Sequence, residues 1–350
     1  MFTADKDDDY TAAAHPDERL IARVRAALDR WSTDPSARTP TSSILGTGAI
    51  AAVETVMSAH HNDIPAILLP SASYALTVAM SAIGVGPGDD VLLPVLDWPA
   101  SYAAVLHAGA RPVPVAVDAA TLTIDPVAAI EAVTPHTIAI VASHLHGVCA
   151  DIPALRAALP ELQVIEDCAS ALGSSLDGHR AGTMGDVAVF SFGPGKRIDA
   201  GEGGVLLACD RRTYRRALAA CVHPLRARLS GLEVDPGAMI MRPHPLTAIL
   251  ARDAIAQWDA EADELVHHES AAVLAADPAL MVLGYGSRRT NASPTVPVLG
   301  AEKELFGAGK TGAVVLPAVR DGHLLRDLAH RIRLVPAASL SNRASDSIGH

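Results

Sequence analysis

Residues 66–94 read AILLPSASYALTVAMSAIGVGPGDDVLLP, and this stretch decides the fold class. Four apolar residues at 66–69 are followed by a helical pattern at 74–83, a glycine-rich turn and a second apolar run at 90–94. Short apolar runs separated by helices are typical of parallel strands that are buried on both faces. The stretch therefore predicts a strand–helix–strand unit.

The same alternation continues along the chain and predicts a wound α/β fold. Because sheets of this kind carry helices on both faces, we predict a mostly parallel sheet of about seven strands flanked by helices. The further predicted strands lie at 112–117, 137–143, 162–167, 186–192 and 203–209, and the further helices of this part at 99–108, 126–132 and 152–159.

The domain organisation is predicted from changes in character along the chain. An N-terminal tail, a helix at 17–31 and a connector occupy residues 1–44, and a large domain follows at 45–240. A long helix at 246–268 and a weaker mixed region at 280–340 predict a smaller C-terminal α/β domain at 241–340. Residues 341–350 are predicted to be a disordered tail.

Composition excludes several function classes. Of 350 residues, 49% are hydrophobic, which argues against disorder, and the net charge of −11 argues against a nucleic-acid partner. The four cysteines form no CxxC pair, and the acidic N-terminus is unlike a signal peptide, so a reducing cytoplasmic location is predicted. Prolines interrupt the uncharged segment 64–88, so no membrane span is predicted. Adjacent histidines on helices do not share a face, and no metal site is predicted.

Polar residues at three predicted strand ends carry the chemistry. PSASYAL (70–76) follows the first strand and predicts a helix N-terminus that binds an anion. An ordinary helix N-cap that binds no ligand would have the same sequence pattern. Asp167 ends the strand VIED and could hold a cationic ring nitrogen, cap a helix or bind a metal. Lys196 lies in the glycine-rich loop SFGPGKRIDAGEGG (191–204), and one other lysine precedes it, Lys6. A lysine amine beside a carboxylate and a phosphate can form a Schiff base.

Together these groups fit one cofactor, pyridoxal 5'-phosphate (PLP). PLP needs a lysine for its aldehyde, an acid for its pyridine nitrogen, a phosphate cup and a flat group against its ring. Trp98, shortly after the strand at 90–94, is the candidate flat group, with core packing as the alternative.

An ordered set of motifs resembles the DegT-type sugar aminotransferases, which are fold-type I PLP-dependent enzymes. The resemblance covers about residues 45–260. The motifs that carry it are ALTVAMSAIGVGPGDDVLLP (75–94), AVLHAGARPVPVAVD (104–118), SHLHGVCADI (143–152), VIEDCASALGS (164–174), HRAGTMGDVAVFSF (179–192) and KRIDAGEGG (196–204).

The resemblance implies roles for individual residues. Lys196 resembles the lysine that binds the PLP aldehyde, and Asp167 the aspartate on the pyridine nitrogen. Ser73 and Ser191, with the amides around Ala72, resemble the phosphate cup. Two more positions follow: Trp98 takes the place of the stacking aromatic, and Ser170 lies near the cofactor's phenolic oxygen.

The sequence also departs from the family pattern at pocket positions. The family usually has Gly at Ala72, Gln at Ser170, Ser or Thr at Gly195 and Asn at Arg197. Ile240 stands where an Asn usually reaches the partner subunit's phosphate.

The resemblance implies transfer of an amino group from glutamate or glutamine to a keto sugar, cyclitol or similar ketone, by a homodimer with shared active sites. The pocket departures keep a second hypothesis open, in which PLP supports elimination, dehydration or related chemistry on an amino-acid-like substrate. A third is a non-enzymatic relative, such as a regulator or scaffold. Dependence on an amino donor separates the first two.

Overall fold

The computed structural model describes residues 18–33, 42–258, 280–282, 289–290, 295–300 and 312–317. The seven strands of its central sheet agree with the predicted ones to within two residues at each end. The described residues form thirteen strands in all. They are β1 (Ala66–Leu69), β2 (Asp90–Pro94), β3 (Arg111–Val115), β4 (Thr137–Ser143), β5 (Gln163–Asp167), β6 (Ser175–Leu176), β7 (His179–Arg180), β8 (Val187–Ser191), β9 (Gly204–Ala208), β10 (Leu280–Val282), β11 (Arg289–Thr290), β12 (Thr295–Gly300) and β13 (Gly312–Pro317).

Helices alternate with most strands of the first part, as the sequence pattern predicts. Four of them begin with proline at their first position, where the missing N–H group costs no hydrogen bond and the fixed φ suits a helix. The helices are α1 (Glu18–Thr33), α2 (Ser42–Leu45), α3 (Ala49–His60), α4 (Ala72–Ile83), α5 (Pro99–His107), α6 (Pro126–Ala132), α7 (Ile152–Ala158), α8 (Arg211–Cys221), α9 (Pro224–Leu229) and α10 (Pro245–Ala256).

Seven strands form the central sheet in the order β1-β9-β8-β5-β4-β2-β3. β9 runs antiparallel to both of its neighbours, and every other pair in this sheet is parallel. The predicted mostly parallel, seven-stranded sheet is therefore confirmed. Because β1, β2, β4, β5 and β8 run in one direction, their carboxyl ends meet at one edge.

Apolar side chains leave the sheet on alternate faces and bury both. In β1, Ile67 and Leu69 pack with residues of α4, α5 and α8, whereas Ala66 and Leu68 pack with α3 and α10. This alternation is the period of two that strand geometry imposes. All four residues of β1 are buried, which explains why the run carries no polar position. Core packing on both faces holds the carboxyl edge in place.

The C-terminal part contributes a second, three-stranded sheet in the order β10-β12-β13, which is antiparallel. β11 pairs instead with β6, within the range of the predicted large domain. α10 confirms the beginning of the helix predicted at 246–268, but the helix ends at Ala256: Gln257 is its C-cap, and Trp258 is not helical, so the predicted single long helix is wrong at this point. Residues 259–268 lie outside the described residues. The N-terminal tail, the tail at 341–350 and any helices of the small domain also lie outside them, so the domain boundaries stay predictions.

One helical stretch among the described residues, 42–60, is long and apolar enough to cross a membrane, with a mean hydropathy of 1.2 over its window. It comprises α2 and α3, which the turn at 46–48 separates. Ile50, Val53 and Met57 of α3 are buried in the protein core. Core helices of globular proteins pass the same length and hydropathy test. The segment 64–88 forms β1, a turn and α4.

Candidate active site

The site lies at the carboxyl edge of the central sheet, where ligands of open α/β folds bind. Strand register aligns its members across the sheet. Asp167, the last residue of β5, is in register with Ser143 of β4 and with Val189 of β8. Ser191, the last residue of β8, is in register with Gly204 of β9, which in turn faces the end of β1.

The loop that carries Lys196 is fixed at several points. Backbone hydrogen bonds close its base, from Phe192 N–H to Gly203 O at 2.8 Å and from Ala200 N–H to Phe192 O at 2.9 Å. The Asp199 carboxylate accepts from the amides of Gly195 and Gly201, at 3.3 and 2.8 Å. Both glycines have positive φ, 74° and 79°, a conformation that side chains disfavour. The glycines of this loop therefore shape the turn that presents Lys196.

Lys196 and Asp167 face the same cavity. The Nζ atom of Lys196 donates a hydrogen bond of 3.0 Å to Oγ of Ser170. Partial burial lowers the pKa of the Lys196 amine, and the nearby Asp167 carboxylate opposes this shift. An amine that loses its proton more readily is a better nucleophile.

Asp167 is buried at the bottom of the cavity. Its Oδ1 accepts from the Ala169 amide at 2.9 Å, and its Oδ2 accepts from Ser101 Oγ at 3.3 Å. Burial raises the pKa of Asp167, although the Ala169 amide, Lys196 and His144 lower it. A buried carboxylate of this kind favours a positively charged partner in the cavity.

The N-terminus of α4 lines one end of the cavity. Ser71 is the N-cap, and its Oγ accepts from the Tyr74 amide at 3.3 Å. The first amides of any helix lack partners within the helix and point towards an anion. Gly204 of β9 lies against this turn: a Cβ there would fall 2.5 Å from both Ala72 N and Ser71 C. Glycine at 204 therefore permits the strand to approach the helix end.

The predicted site residues come together in one cavity of about 440 Å³. Trp98 lies at its rim with 66% of its surface exposed and is the N-cap residue of α5. The side chain of Ile240 is also exposed. A separate groove along α8 is lined by none of the predicted site residues. The lining of the cavity includes all seven predicted residues: Ala72, Ser73, Trp98, Asp167, Ser170, Ser191 and Lys196.

Several lining residues escaped the sequence analysis. Asp97 is half-buried beside Trp98, and its Oδ2 accepts from Ser143 Oγ at 2.7 Å. His146 has a left-handed backbone (φ 53°), and burial together with Lys196 lowers its pKa to about 4. The available signal for Asp97 was a polar residue three positions after a predicted strand. His146 lies in the motif SHLHGVCADI (143–152), and the family resemblance implies a loop near the cofactor for it, but the orientation of His146 depends on the 3₁₀ turn at Leu145–Gly147.

His144, which lines the cavity, is held in place by a network of buried hydrogen bonds. Its Nδ1 accepts from the Ala150 amide at 3.0 Å, which assigns the proton to Nε2, and Nε2 donates to Glu166 at 2.9 Å. Glu166 also accepts from the amides of Gly182, Met184 and Gly185. Burial alone would raise the pKa of Glu166, but these donors keep it below its ordinary value.

This network also accounts for the cluster that most resembles a metal site. His144, Glu166 and Cys168 place ligand atoms within 4.8 Å of one another, and all three residues are buried. The oxygens of Glu166 already accept four hydrogen bonds, and burial raises the pKa of the Cys168 thiol well above its usual value. A neutral thiol beside a saturated carboxylate is a poor metal ligand set.

Comparisons with known proteins agree with this geometry. The chain is 44% identical over 149 residues to the L-glutamine:2-deoxy-scyllo-inosose aminotransferase of Micromonospora echinospora, which covers 42% of this chain and 36% of that protein. The chain therefore matches well under half the length of this curated relative.

Solved structures match over a larger share of the chain. A crystal structure of 3-amino-5-hydroxybenzoic acid synthase shares 27% identity and a TM-score of 0.68, covering 82% of this chain and 74% of that one. The PLP form of Spr1654, a protein of Streptococcus pneumoniae described as a putative sugar aminotransferase, shares the fold at 20% identity and a TM-score of 0.67, covering 83% and 78%. The predicted fold class is confirmed.

A family model matches residues 41–236, more than half of the chain. The predicted family resemblance is thereby confirmed. The chain belongs to the DegT/DnrJ/EryC1/StrS aminotransferase family.

Proposed function

We propose that this chain is a PLP-dependent aminotransferase that moves an amino group from glutamate or glutamine to a keto sugar, cyclitol or similar ketone of a specialised biosynthetic pathway. One observation carries the proposal. An amine with a lowered pKa, Lys196, and a buried carboxylate, Asp167, line the same cavity, together with a helix N-terminus.

The residues of the cavity fit PLP. Asp167 is a buried carboxylate that suits a protonated ring nitrogen. Gly204 leaves room at the first turn of α4 that a Cβ would fill, and the amides there suit a phosphate with Ser73 and Ser191. Lys196 is the only lysine among the cavity-lining residues and would attach to the aldehyde. Trp98, at the rim, would contact the ring.

When bound, PLP supplies an electron sink that stabilises a carbanion at the carbon bearing the amino group. Lys196 Nζ would carry the proton to and from that carbon. Asp167 would keep the proton on the ring nitrogen. Ser170 orients Lys196 Nζ through their hydrogen bond. The two half-reactions share one site, so ping-pong kinetics are expected.

The donor and acceptor are proposed by analogy with relatives. The name of the Micromonospora relative gives L-glutamine as donor and 2-deoxy-scyllo-inosose, a cyclitol ketone, as acceptor. Because the match to this relative covers 42% of this chain, the proposed acceptor class stays broad: a polyhydroxylated cyclic ketone.

A second reaction class is favoured by the pocket itself. Ser170 and Gly195, where the family usually has larger polar residues, leave Lys196 with a short hydroxyl partner and an open neighbouring turn. Such a pocket would also suit PLP-dependent elimination or dehydration of an amino-acid-like substrate. Turnover without an amino donor would support that alternative.

A visible spectrum of the purified protein tests the cofactor and the donor together. The expected result is an absorbance band of bound PLP that shifts after glutamine or glutamate is added. A colourless protein that takes up no PLP would contradict the proposal, and a band unmoved by any donor would favour the second reaction class.

Borohydride trapping tests the attachment point. The expected result is a reduced, cofactor-labelled peptide that contains Lys196. The Lys196→Ala variant should lose the label, whereas Lys6→Ala, the matched control, should keep it. Label on another lysine would contradict the assignment.

We further propose a homodimer with shared sites in the cytoplasm, with small-molecule substrates and no membrane or nucleic-acid partner. Large exposed apolar side chains such as Tyr74, Leu229 and Ile240 support an interface with a second copy. All four cysteines of the chain are free thiols, which supports a reducing compartment. Sedimentation of the pure protein as a monomer would contradict the dimer.

A further inference from the structure

We propose that Asp97 and Asp167 act as a pair of carboxyl groups that shares the positive ring nitrogen of the cofactor, so that loading the site expels a proton from the pair. The nature of the ligand rests on the proposed function. The pairing of the two aspartates rests on the geometry of the protein.

Ser101 forms hydrogen bonds with both carboxyl groups, and a second serine, Ser143, with Asp97. Asp97 Oδ2 accepts from Ser143 Oγ at 2.7 Å, and Ser143 is in register with Asp167 at the ends of β4 and β5. Asp167 Oδ2 accepts from Ser101 Oγ at 3.3 Å, and Ser101 also lies within hydrogen-bonding reach of Asp97. The second oxygen of Asp97 accepts from the Trp98 amide at 2.7 Å, which fixes the carboxyl towards the cavity.

Electrostatics make the pair hold a shared proton even with Lys196 nearby. Burial and the neighbouring Asp167 raise the pKa of Asp97 to about 7, and burial raises that of Asp167. Two like charges this close in a buried site cannot both form at little cost, so the pair titrates as a unit. Other titratable groups face the pair: Tyr102 of α5, His144 after β4 and Lys196 of the loop.

A single positive charge on the ring nitrogen would remove that repulsion. The Lys196 amine near Asp167 already lowers the pKa of that carboxyl without ionising the whole pair. The ring nitrogen would add a further positive charge beside the pair, and both carboxyl groups would then ionise. The proton held by the pair would leave to solvent, and the ring nitrogen would keep its own.

Calorimetric titration with 4'-deoxypyridoxine 5'-phosphate tests this coupling. The compound has the ring nitrogen and the phosphate but no aldehyde, so Lys196 chemistry does not contribute. Repeating the titration at pH 6 in buffers of different ionisation enthalpy counts the protons released. The wild type should release about one proton more per ligand than Asp97→Asn, because the variant has no shared proton to lose.

The matched control is Asp63→Asn, an exposed position with a left-handed backbone that asparagine tolerates. Its proton count should equal that of the wild type. Equal counts for the wild type and Asp97→Asn, with the ligand bound by both, would overturn the pair and leave the proposed function standing. Failure of the wild type to bind PLP or the analogue would overturn both.

A second measurement needs no ligand. The cofactor-free wild type should lose thermal stability as the pH rises from 6 to 8, because the folded pair holds a proton that the unfolded chain has released. Asp97→Asn should show a smaller loss over this range. An equal loss in both proteins would overturn the pair even if the variant binds the analogue.

Discussion

The Nζ atom of Lys196 donates a 3.0 Å hydrogen bond to Oγ of Ser170, three residues beyond Asp167 in the chain. This contact connects the glycine-rich loop after β8 to the loop after β5. The amine and the carboxylate of the site are thus held relative to each other by one short side chain.

Replacing Ser170 with alanine should slow turnover without removing the cofactor. The lost hydrogen bond contributes about 1 kcal/mol, which corresponds to about five-fold in kcat. Steady-state kinetics, with cofactor content read from the visible spectrum, measures both effects. Ser170→Thr, which keeps the hydroxyl, should retain most of the rate. Loss of the cofactor from Ser170→Ala would contradict this assignment.

The pH dependence of cofactor attachment should depend on Asp167. Burial lowers the pKa of Lys196 and Asp167 opposes that shift, so the attachment rate should fall as the pH drops through the lowered pKa. Asp167→Asn removes the opposing charge and should move this fall to still lower pH. Stopped-flow absorbance against pH measures it. Turnover of the same variant should drop by about 10²-fold or more, since the ring nitrogen loses its ionic partner.

Replacing Gly204 with alanine should damage the phosphate end of the site. The new Cβ would lie 2.5 Å from backbone atoms of Ser71 and Ala72, which cannot move as a flexible side chain can. We expect a loss of about 1–3 kcal/mol in the free energy of unfolding and weaker PLP binding. Gly86→Ala is the control, because its Cβ would meet nothing within 4 Å. Urea denaturation and PLP titration measure the two effects. The prediction would be contradicted if Gly204→Ala and Gly86→Ala gave the same stability and the same PLP affinity.

Replacing Glu166 with glutamine should lower the free energy of unfolding rather than act on the reaction itself. The carboxylate accepts from His144 and three backbone amides, and an amide group would place N–H donors against donors. The expected cost is about 3–5 kcal/mol in the free energy of unfolding. Glu131→Gln, at an exposed position, should leave denaturation unchanged. A stable Glu166→Gln protein would show that the network is dispensable.

Part of the site follows from local sequence, and part does not. Asp167 ends one apolar run, the N-terminus of α4 follows a second, and Lys196 lies in the loop after a third, so the rule that ligands bind at strand ends finds them. Gly204 is visible in the sequence only as one glycine of the glycine-rich loop, because its requirement arises from the approach of β9 to Ala72, 132 residues earlier. The role of Asp97 likewise depends on Ser143 of β4, 46 residues away, which donates a hydrogen bond to it.

The amino-acid sequence by itself determined the strands of the central sheet, the helices between them and seven of the residues that line the cavity. It could do so because burial imposes its period on each segment separately. The tertiary structure alone decided which side chains touch. Contacts such as Ser101 with Asp167 join positions 66 residues apart, and they exist because the strand order β5-β4-β2 brings the start of α5, which follows β2, close to the end of β5.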